Sequence, residues 1–430
     1  MDFKFKNKRI SGILTILPKK VVTFEEEMGN YNFSPAKSMK LKLAMGYKEH
    51  RLAEEGQCSS DFCIYGLQYL FDNELLKKED IDALLFVSQS PDYFMPPTSN
   101  VIQGHFGLKH DMICMDINQG CAGFELGLIQ AFMMLDQPNI NKVVLLNADV
   151  LSPKVSPRDR NSKPLIGDAA SICVVEKDTS DSVIYANIKM DGTGAMALNI
   201  PAGGFRMPCT AETAEMVEDA NGNFRSLDNL VMKGDDVFNF VQREVPLMIE
   251  HLMEEANVHQ EDIDWFMFHQ PNKFMLQKLA DKIGVPREKM PANIVENFGN
   301  ASGVTVTTNI SYNLGDEVVN GSKKVCIAGF GVGLTWSSLI LELNGSALLY
   351  ATLYATTEDF KMEELIVKIA EILEVEELDV TKKFTDYDEW DSLCALSILA
   401  MLDSDYHKTM KAADIRNFAT IEDFCKEVLA

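Results

Sequence analysis

The chain has 430 residues, 46% of them apolar, which is enough for two or three domains with buried cores. Its net charge of −24 argues against nucleic acid and anionic membrane as partners. No apolar run reaches the roughly 18 residues that a membrane span needs, and the N-terminus lacks the apolar core of a secretory signal. The nine cysteines lack metal-ligand spacing, so we expect free thiols, no metal site and a cytoplasmic protein.

The first half of the chain alternates helices with buried strands. Apolar residues recur at helical spacing over residues 59–76, and a buried strand is predicted at 81–88. Two further apolar runs, 142–150 and 171–176, are also typical of buried strands. This alternation predicts an α/β fold with a parallel or mixed sheet that is covered on both faces.

The second half repeats the theme after an irregular region, residues 190–231, which we expect to shape a pocket wall. An amphipathic helix is predicted at 235–256, followed by a strand at 265–268 and a helix at 273–283. The last strands are expected at 324–328 and up to residue 343. Two similar halves indicate an internal duplication.

Cys121 stands between two glycines at the start of an apolar run, residues 126–135, which is too long for a strand. We expect a buried helix there with Cys121 in its first turn, where free N–H groups and the helix dipole favour the thiolate. The dipole lowers the thiol pKa by at most about one and a half units. The alternative is a packed core cysteine between turn glycines.

A thiolate nucleophile needs a base or donor and a group that holds the oxyanion it creates. His269 follows an apolar strand at the start of a turn, a place from which side chains point into sites. Asn300 lies between Gly299 and Ala301 and is a second candidate, although it could equally be a turn residue with positive φ. The glycine-rich segment 329–333 could present a backbone N–H to a carbonyl oxygen.

Six motifs in this order resemble those of beta-ketoacyl-acyl carrier protein synthase III, over residues 8–343. They are Gly120-Cys-Ala-Gly123, Pro201-Ala-Gly-Gly204, Met232-Lys-Gly-Asp-Asp-Val-Phe238, His269-Gln-Pro-Asn272, Gly299-Asn-Ala-Ser302 and Gly329-Phe-Gly-Val-Gly-Leu-Thr-Trp336. The resemblance implies a thiolase fold, five alternating αβαβα layers built from two duplicated halves, and a homodimer.

The resemblance also implies roles for the candidate residues. Cys121 would accept the acyl group, and His269 with Asn300 would serve decarboxylation by donating to the thioester carbonyl of a malonyl group. Backbone N–H groups of Cys121 and Val332 would hold the tetrahedral oxyanion. Asn272 would lie beside the substrate pocket.

Three positions depart from the family pattern at the expected coenzyme A contacts. Lys40 and Ala44 stand where the family has a tryptophan and an arginine, and Phe274 stands where it has another arginine. Losing these contacts weakens a coenzyme A site by several kcal/mol, at roughly 1–3 kcal/mol for each charged contact. Coenzyme A and a carrier protein therefore both stay open as the donor. Met95 falls about where the family has a pocket-gating aromatic residue.

Composition changes after residue 344, where a connector of residues 345–357 leads to an acidic helical domain, 358–430. This domain has 19 acidic and 8 basic side chains, a net charge of −11. Asp391-Ser392-Leu393 opens an apolar helix and resembles the attachment site of an acyl carrier protein, which implies 4'-phosphopantetheine on Ser392 and a phosphopantetheinyl transferase as a partner. The alternative is that Ser392 is only a helix N-cap.

The sequence therefore predicts a condensing enzyme, residues 1–344, fused to a small all-α carrier, with acyl and malonyl thioesters as substrates in fatty acid or polyketide-like biosynthesis. The first rival is acyl transfer to an alcohol or amine without condensation. A second is a non-catalytic scaffold that uses the carrier-like domain for docking. A thiolase is disfavoured because Cys326 lies too far back in its strand to be the second catalytic cysteine.

Overall fold

The computed structural model describes residues 1–344, 350–375, 378–406 and 408–429, which form two compact units, Met1–Tyr354 and Ala355–Ala430. The strands are β1 (Asp2–Lys6), β2 (Lys8–Pro18), β3 (Val21–Thr23), β4 (Glu49–Arg51), β5 (Ala83–Val87), β6 (Ile113–Ile117), β7 (Lys142–Asp149), β8 (Ala169–Lys177), β9 (Val183–Met190), β10 (Leu198–Asn199), β11 (Val217–Glu218), β12 (Phe224–Arg225), β13 (Val231–Met232), β14 (Trp265–Phe268), β15 (Ser322–Gly331), β16 (Thr335–Asn344) and β17 (Tyr350–Ala355). The α-helices are α1 (Phe24–Glu27), α2 (Pro35–Met45), α3 (Ser59–Asp72), α4 (Thr98–His105), α5 (Gly123–Met134), α6 (Gly234–Ala256), α7 (Lys273–Ile283), α8 (Ile294–Phe298), α9 (Val304–Val319), α10 (Thr357–Leu373), α11 (Ser392–Tyr406), α12 (Ala412–Ile415) and α13 (Ile421–Leu429).

Two mixed sheets form the frame of the first unit. The first has the order β17-β2-β8-β7-β5-β6 and the second the order β1-β9-β16-β15-β14. Four strands of the first, β2-β8-β7-β5, correspond to β9-β16-β15-β14 of the second, because each set joins one parallel pair to two antiparallel pairs in the same order. The predicted duplication is therefore visible in the strand order, although it could not be seen residue by residue.

Helices α5 and α9 lie between the two sheets and contact strands of both. They share one core with the facing sides of the sheets, to which α5 contributes Phe124 and Phe132 and α9 contributes Ile310 and Leu314. Apart from Glu125 and Gln130, helix α5 is apolar on all faces, as expected of a helix covered on both sides. Outside, α3 packs on the first sheet and α6 and α7 on the second, so the five-layer arrangement is confirmed.

Most predicted elements match, but their ends differ. The strand expected at 324–328 extends over Ser322–Gly331, so the glycines of the expected turn belong largely to β15. Residues 345–349 of the predicted connector lie outside the described residues, and the next six form β17 at the edge of the first sheet. Thr352 and Tyr354 belong to residue types that favour strands, and the assignment of these positions to a connector overlooked this signal.

The second unit is helical. Its core joins α10, α11 and α13 around Leu365, Ile398 and Phe424, all fully buried. Phe384, in a short 3-10 helix, packs edge-on against Phe424 and contacts Trp390. Within the described ranges of the chain, no helix combines the length and apolar character that crossing a bilayer requires.

Candidate active site

A cavity of about 950 Å³ opens in the first unit, and Cys121, His269 and Asn300 all line it. Cys121 comes from the turn before α5, His269 follows β14, and Asn300 lies between α8 and α9. The three residues were predicted to meet, and the two halves of the chain bring them to one cavity. Leu198, Asn221 and Val231 of the irregular region also line the cavity, as expected.

Cys121 lies just before Ala122, the N-cap of α5, and therefore precedes the first turn in which it was predicted. Gly331 packs directly against it: a Cβ atom on Gly331 would lie 2.6 Å from the Cys121 sulfur. Gly331 also has φ of +158°. A side chain at this position would thus fill the space that a substrate needs next to the thiol.

Backbone N–H groups do lower the thiol pKa as expected, but burial outweighs them, so the net shift is upward. Burial raises the pKa of Cys121, and the N–H of Val332 and the hydroxyl of Ser302 only partly offset this. The side chain is 9% exposed, so desolvation of the thiolate outweighs the modest effect of the helix end. The structure thus favours the neutral thiol at neutral pH and requires a group that takes its proton during attack.

His269 is 1% exposed and is held by a hydroxyl network. Its Nδ1 lies 2.7 Å from Oγ1 of Thr305, which also accepts the backbone N–H of Gln270. Two acceptors compete for the hydrogen of the Thr305 hydroxyl, the Ser302 carbonyl oxygen at 2.8 Å and Nδ1 of His269. When this hydrogen goes to Nδ1, the imidazole carries its own hydrogen on Nε2. Burial lowers the pKa of His269 to about 4, so the ring is neutral at pH 7 and acts as a donor rather than as a cation.

Asn300 is clamped by its backbone, which donates to Leu165 and accepts from Gly167. Its side-chain oxygen accepts the N–H of Ser302 at 2.9 Å, which leaves the amide NH2 group for a ligand. The positive φ considered for Asn300 occurs instead at Ser302, with φ of +55°, and at Gly299. A Cβ atom on Gly299 would lie 2.8 Å from the backbone of Gly167, so glycine is required there.

Val332 stands next to the thiol as the oxyanion prediction needs. Its N–H is directed at the Cys121 sulfur, and its carbonyl oxygen accepts from the side chain of Gln119 at 3.3 Å. The second predicted donor, the backbone N–H of Cys121, also interacts with this sulfur. Both N–H groups therefore lie at the sulfur, beside which the carbonyl oxygen of a bound thioester would have to lie for the predicted oxyanion role.

The cavity lining is apolar at Phe274, one of the three predicted coenzyme A contacts. Phe274 lines the cavity and stacks on Phe238, with ring centroids 5.9 Å apart. Asn272 also lines it, but its side chain caps α7 by accepting the N–H of Met275. Lys40 and Ala44 are exposed on α2. Met95 is 82% exposed on a loop and does not line this cavity, so its gating role stays a prediction.

Sequence reasoning missed three residues that organise the site. Ser302 contacts the Cys121 thiol and orients Asn300, Thr305 holds His269, and Phe330 packs edge-on against the imidazole at 5.6 Å. Ser302 and Thr305 follow the glycine–asparagine motif directly, and hydroxyl residues at the start of a buried helix were the available signal. Among the described residues, no cluster of three or more His, Cys, Asp or Glu side chains could hold a metal ion.

A buried thiol facing backbone donors, with an imidazole and an amide across the cavity, is suited to acyl transfer through a thioester. Held between two duplicated α/β halves, this arrangement defines a thiolase-fold acyltransferase.

Comparison with known proteins gives the family. The sequence model of 3-oxoacyl-[acyl-carrier-protein (ACP)] synthase III matches residues 115–192, and that of its C-terminal part matches residues 253–343. The beta-ketoacyl-[acyl-carrier-protein] synthase III of Streptococcus mutans is 30% identical over 69% of this chain and 88% of its own. That of Caldanaerobacter subterraneus is 27% identical over 77% of this chain and 97% of its own.

A solved structure agrees: 3-oxoacyl-(acyl-carrier protein) synthase from Burkholderia xenovorans superposes with a TM-score of 0.76 at 30% identity, covering 83% of this chain and 99% of its own. The chain belongs to the beta-ketoacyl-[acyl-carrier-protein] synthase III family and is an acyltransferase of that type. The family assignment rests on the first unit.

Proposed function

We propose that the enzyme catalyses decarboxylative Claisen condensation of an acyl primer, held on Cys121, with a malonyl-type thioester. The observation that carries this proposal is the orientation of Asn300. Because Ser302 occupies its side-chain oxygen, the amide presents N–H donors to the cavity that His269 also lines. Two neutral donors on one thioester carbonyl stabilise the enolate that is left when CO2 departs.

The steps follow from this geometry. The thiolate of Cys121 attacks the primer thioester, the donor thiol leaves, and the N–H groups of Cys121 and Val332 bind the oxyanion. A malonyl thioester then enters, and His269 with Asn300 holds its carbonyl oxygen while the carboxylate is lost. The resulting carbanion attacks the acyl carbon on Cys121, which releases the cysteine and forms the new carbon–carbon bond.

Acyl transfer to an alcohol or amine is the rival activity. It needs a primer and a nucleophilic acceptor but no decarboxylation. A carboxamide such as that of Asn300, available to a second thioester carbonyl, would have no role in it. The clamped backbone and the bonded side-chain oxygen of Asn300 favour condensation for this reason.

We propose further that Ser392 carries 4'-phosphopantetheine, whose terminal thiol would hold the acyl or malonyl group as a thioester. Ser392 is exposed at the first position of α11. Asp391 performs the capping, since its Oδ1 accepts the N–H groups of Leu393 and Cys394, each at 2.8 Å. The hydroxyl of Ser392 is thus not needed to cap the helix, which speaks against the N-cap alternative.

The surface beside Ser392 suits a partner enzyme. Leu393 is 68% exposed and Leu396 is 60% exposed, one turn along the same helix. Large apolar side chains next to an exposed hydroxyl make a small docking surface within an acidic unit. This supports recognition by a phosphopantetheinyl transferase with a basic surface.

Coexpression of the chain with a phosphopantetheinyl transferase is expected to add the mass of one phosphopantetheine, and Ser392→Ala is expected to abolish the addition. Ser397→Ala, a serine further along α11, is the matched control and should keep it. The pantetheinylated protein, given an acyl primer and a malonyl thioester, should release CO2 and form a ketoacyl product. Modification of a residue other than Ser392 would contradict the proposed carrier function. Acyl transfer without CO2 release would contradict the proposed condensation.

We propose that the primer arrives on a carrier and not on coenzyme A. Besides the Phe238–Phe274 pair, exposed Asp235 and Asp236 line the cavity next to exposed Lys233, so this part of the lining offers nucleotide phosphates no net positive charge. Two arginines also line it, but they are engaged. Arg160 donates to Asn221 and Asn223, and Arg225 pairs with Asp159 and Asp219.

The wild-type enzyme is therefore expected to use an acyl-carrier primer far better than the same acyl-coenzyme A. Phe274→Arg should raise kcat/KM for acyl-coenzyme A about tenfold, since one charged phosphate contact contributes roughly 1–3 kcal/mol. Phe274→Ala removes the same ring without adding charge and is the matched control. An equal gain in both variants would mean that the ring only blocks the entrance.

We also propose that the enzyme forms a homodimer. Phe94 and Phe205 are largely exposed, and their rings contact each other at 5.5 Å. Together with Met95 they form an exposed apolar surface of the kind that marks an interface with another chain.

A further inference from the structure

The raised pKa of the Cys121 thiol leaves a question about its proton. The thiolate, not the thiol, attacks a thioester, so a proton must leave during acylation. His269 is a weak base, because burial lowers its pKa to about 4. Another group close to the sulfur therefore has to accept this proton.

Asp149 is a buried carboxyl group that none of the steps above uses. It ends β7 and is fully buried. Its Oδ1 accepts the N–H of Gln89 at 2.7 Å and the hydroxyls of Ser88 and Ser90, each at 3.3 Å. Its Oδ2 is buried and has no hydrogen-bond partner among the described residues. One oxygen is thus fixed in place while the other is free to receive a proton.

The hydroxyl of Ser302 lies close to both Asp149 and the Cys121 thiol and lowers the pKa of each. Two packing contacts hold this corner together. Gly303 lies against the carbonyl oxygen of Gly120, and the side chain of Gln89 packs on Gly120. The loop that carries Ser302 and the segment that holds Asp149 therefore meet at the turn of Cys121.

We propose that Ser302 and Asp149 form a proton relay that activates Cys121, with Asp149 as the terminal acceptor. The relay concerns acylation of the thiol and rests on the proposed role of Cys121 as the acyl acceptor. It assigns a function to two side chains on opposite sides of the turn, one in each half of the duplicated fold.

The relay balances as follows. As the sulfur bonds to the thioester carbon, the thiol proton moves to the Ser302 hydroxyl, which passes its own proton to the carboxylate of Asp149. When the tetrahedral intermediate collapses, the carbon–sulfur bond to the donor breaks. The leaving thiolate recovers the proton from Asp149 by the same path and departs as a thiol.

The ionisable groups around the sulfur set the expected pH dependence. Burial raises the pKa of Asp149 to about 7, so its carboxyl accepts a proton above that pH and not below it. Glu125, one turn along α5, has its pKa raised to about 8 by burial and is neutral at pH 7. His269 across the cavity is neutral there as well. The relay therefore predicts that thiol reactivity rises with pH through about 7.

The test is the rate at which iodoacetamide alkylates Cys121, measured from pH 5 to 10 by mass spectrometry of the Cys121 peptide. Cys58 and Cys209 are exposed and are replaced by serine in all proteins, so that they do not consume reagent. Ser302→Ala is expected to remove the rise near pH 7 and to slow alkylation at that pH at least tenfold. Ser337→Ala removes another buried serine hydroxyl, bonded to Asn187, and should leave the profile unchanged.

Asp149→Asn separates the relay from simple electrostatics. The negative charge of Asp149 itself raises the thiol pKa, so a purely electrostatic role predicts faster alkylation when that charge is removed. The relay predicts slower alkylation. If Asp149→Asn does not fold, Ser302→Gly, which suits a φ of +55° and keeps the N–H to Asn300, tests the relay through the loss of the rise near pH 7.

Unchanged profiles in the Ser302 variants, or faster alkylation in Asp149→Asn, would overturn the relay. The result is independent of condensation, because CO2 release from a malonyl thioester depends on His269 and Asn300. An enzyme that shows the relay profile but releases no CO2 would refute the proposed condensation alone.

Discussion

Cys121→Ala is expected to abolish condensation, by about 10⁴-fold or more, while malonyl decarboxylation continues. The covalent intermediate needs the sulfur, but the enolate needs only the donors of His269 and Asn300. These donors are held by Thr305 and by Ser302, and not by the thiol. Product formation and CO2 release from malonyl thioester are measured in the same protein. The two rates show whether condensation is lost while decarboxylation continues.

His269→Ala is the complementary variant. It is expected to slow decarboxylation by about 10²–10³-fold, the usual cost of losing one oxyanion donor, and to leave acylation of Cys121 within about tenfold of the wild type. Acylation is followed as the acyl mass on the Cys121 peptide after reaction with primer alone. Loss of both half-reactions in both variants would show that the thiol and the imidazole act as one unit, against the division of roles proposed here.

Local signals explain why some elements were predicted with their true bounds. Helix α7 begins at the Asn272 cap and ends at Gly284 in the left-handed conformation, and both signals are written in the sequence. The buried strand β14 was found from its run of apolar residues. The glycine–cysteine, histidine and glycine–asparagine motifs named three residues that do share one cavity.

What sequence reasoning got wrong depends on contacts between distant segments. The thiol pKa was predicted from the helix end alone, and the burial that reverses its direction comes from β15 and the Ser302 loop packing around Cys121. Asp149 was passed over as the end of an apolar strand. The available signal was that Asp149 is an acidic residue at the carboxyl end of a buried strand, because the carboxyl ends of strands in α/β sheets face ligand sites. Its partner Ser302 lies 153 positions further along the chain, beyond the reach of local patterns.

Glu125→Gln is expected to stabilise the first unit at pH 8.5 and to change little at pH 5. Glu125 is fully buried on α5, and neither carboxyl oxygen has a hydrogen-bond partner among the described residues. Burial raises its pKa from 4.5 to about 8. Between these values the folded chain keeps a proton that the unfolded chain has lost, so the free energy of unfolding falls as pH rises.

The full effect, at about 1.36 kcal/mol per unit of pKa shift, is about 5 kcal/mol once the pH exceeds 8. Glutamine has nearly the same shape and stays neutral, so the variant avoids this loss. At pH 5 the protonated glutamic acid and the amide are alike in charge, which makes the wild type and the variant comparable there.

Urea unfolding at the two pH values measures the difference. Trp390 of the second unit is replaced by phenylalanine in all proteins, so that fluorescence reports Trp265 and Trp336 of the first. Glu250→Gln is the matched control, because Glu250 is exposed on α6 and loses the same charge without any change in burial. A gain at pH 8.5 that is equal in both variants would point to the net charge of the protein. A gain confined to Glu125→Gln would instead locate the destabilising charge beside Gly329, where the Glu125 carboxyl packs behind the catalytic turn.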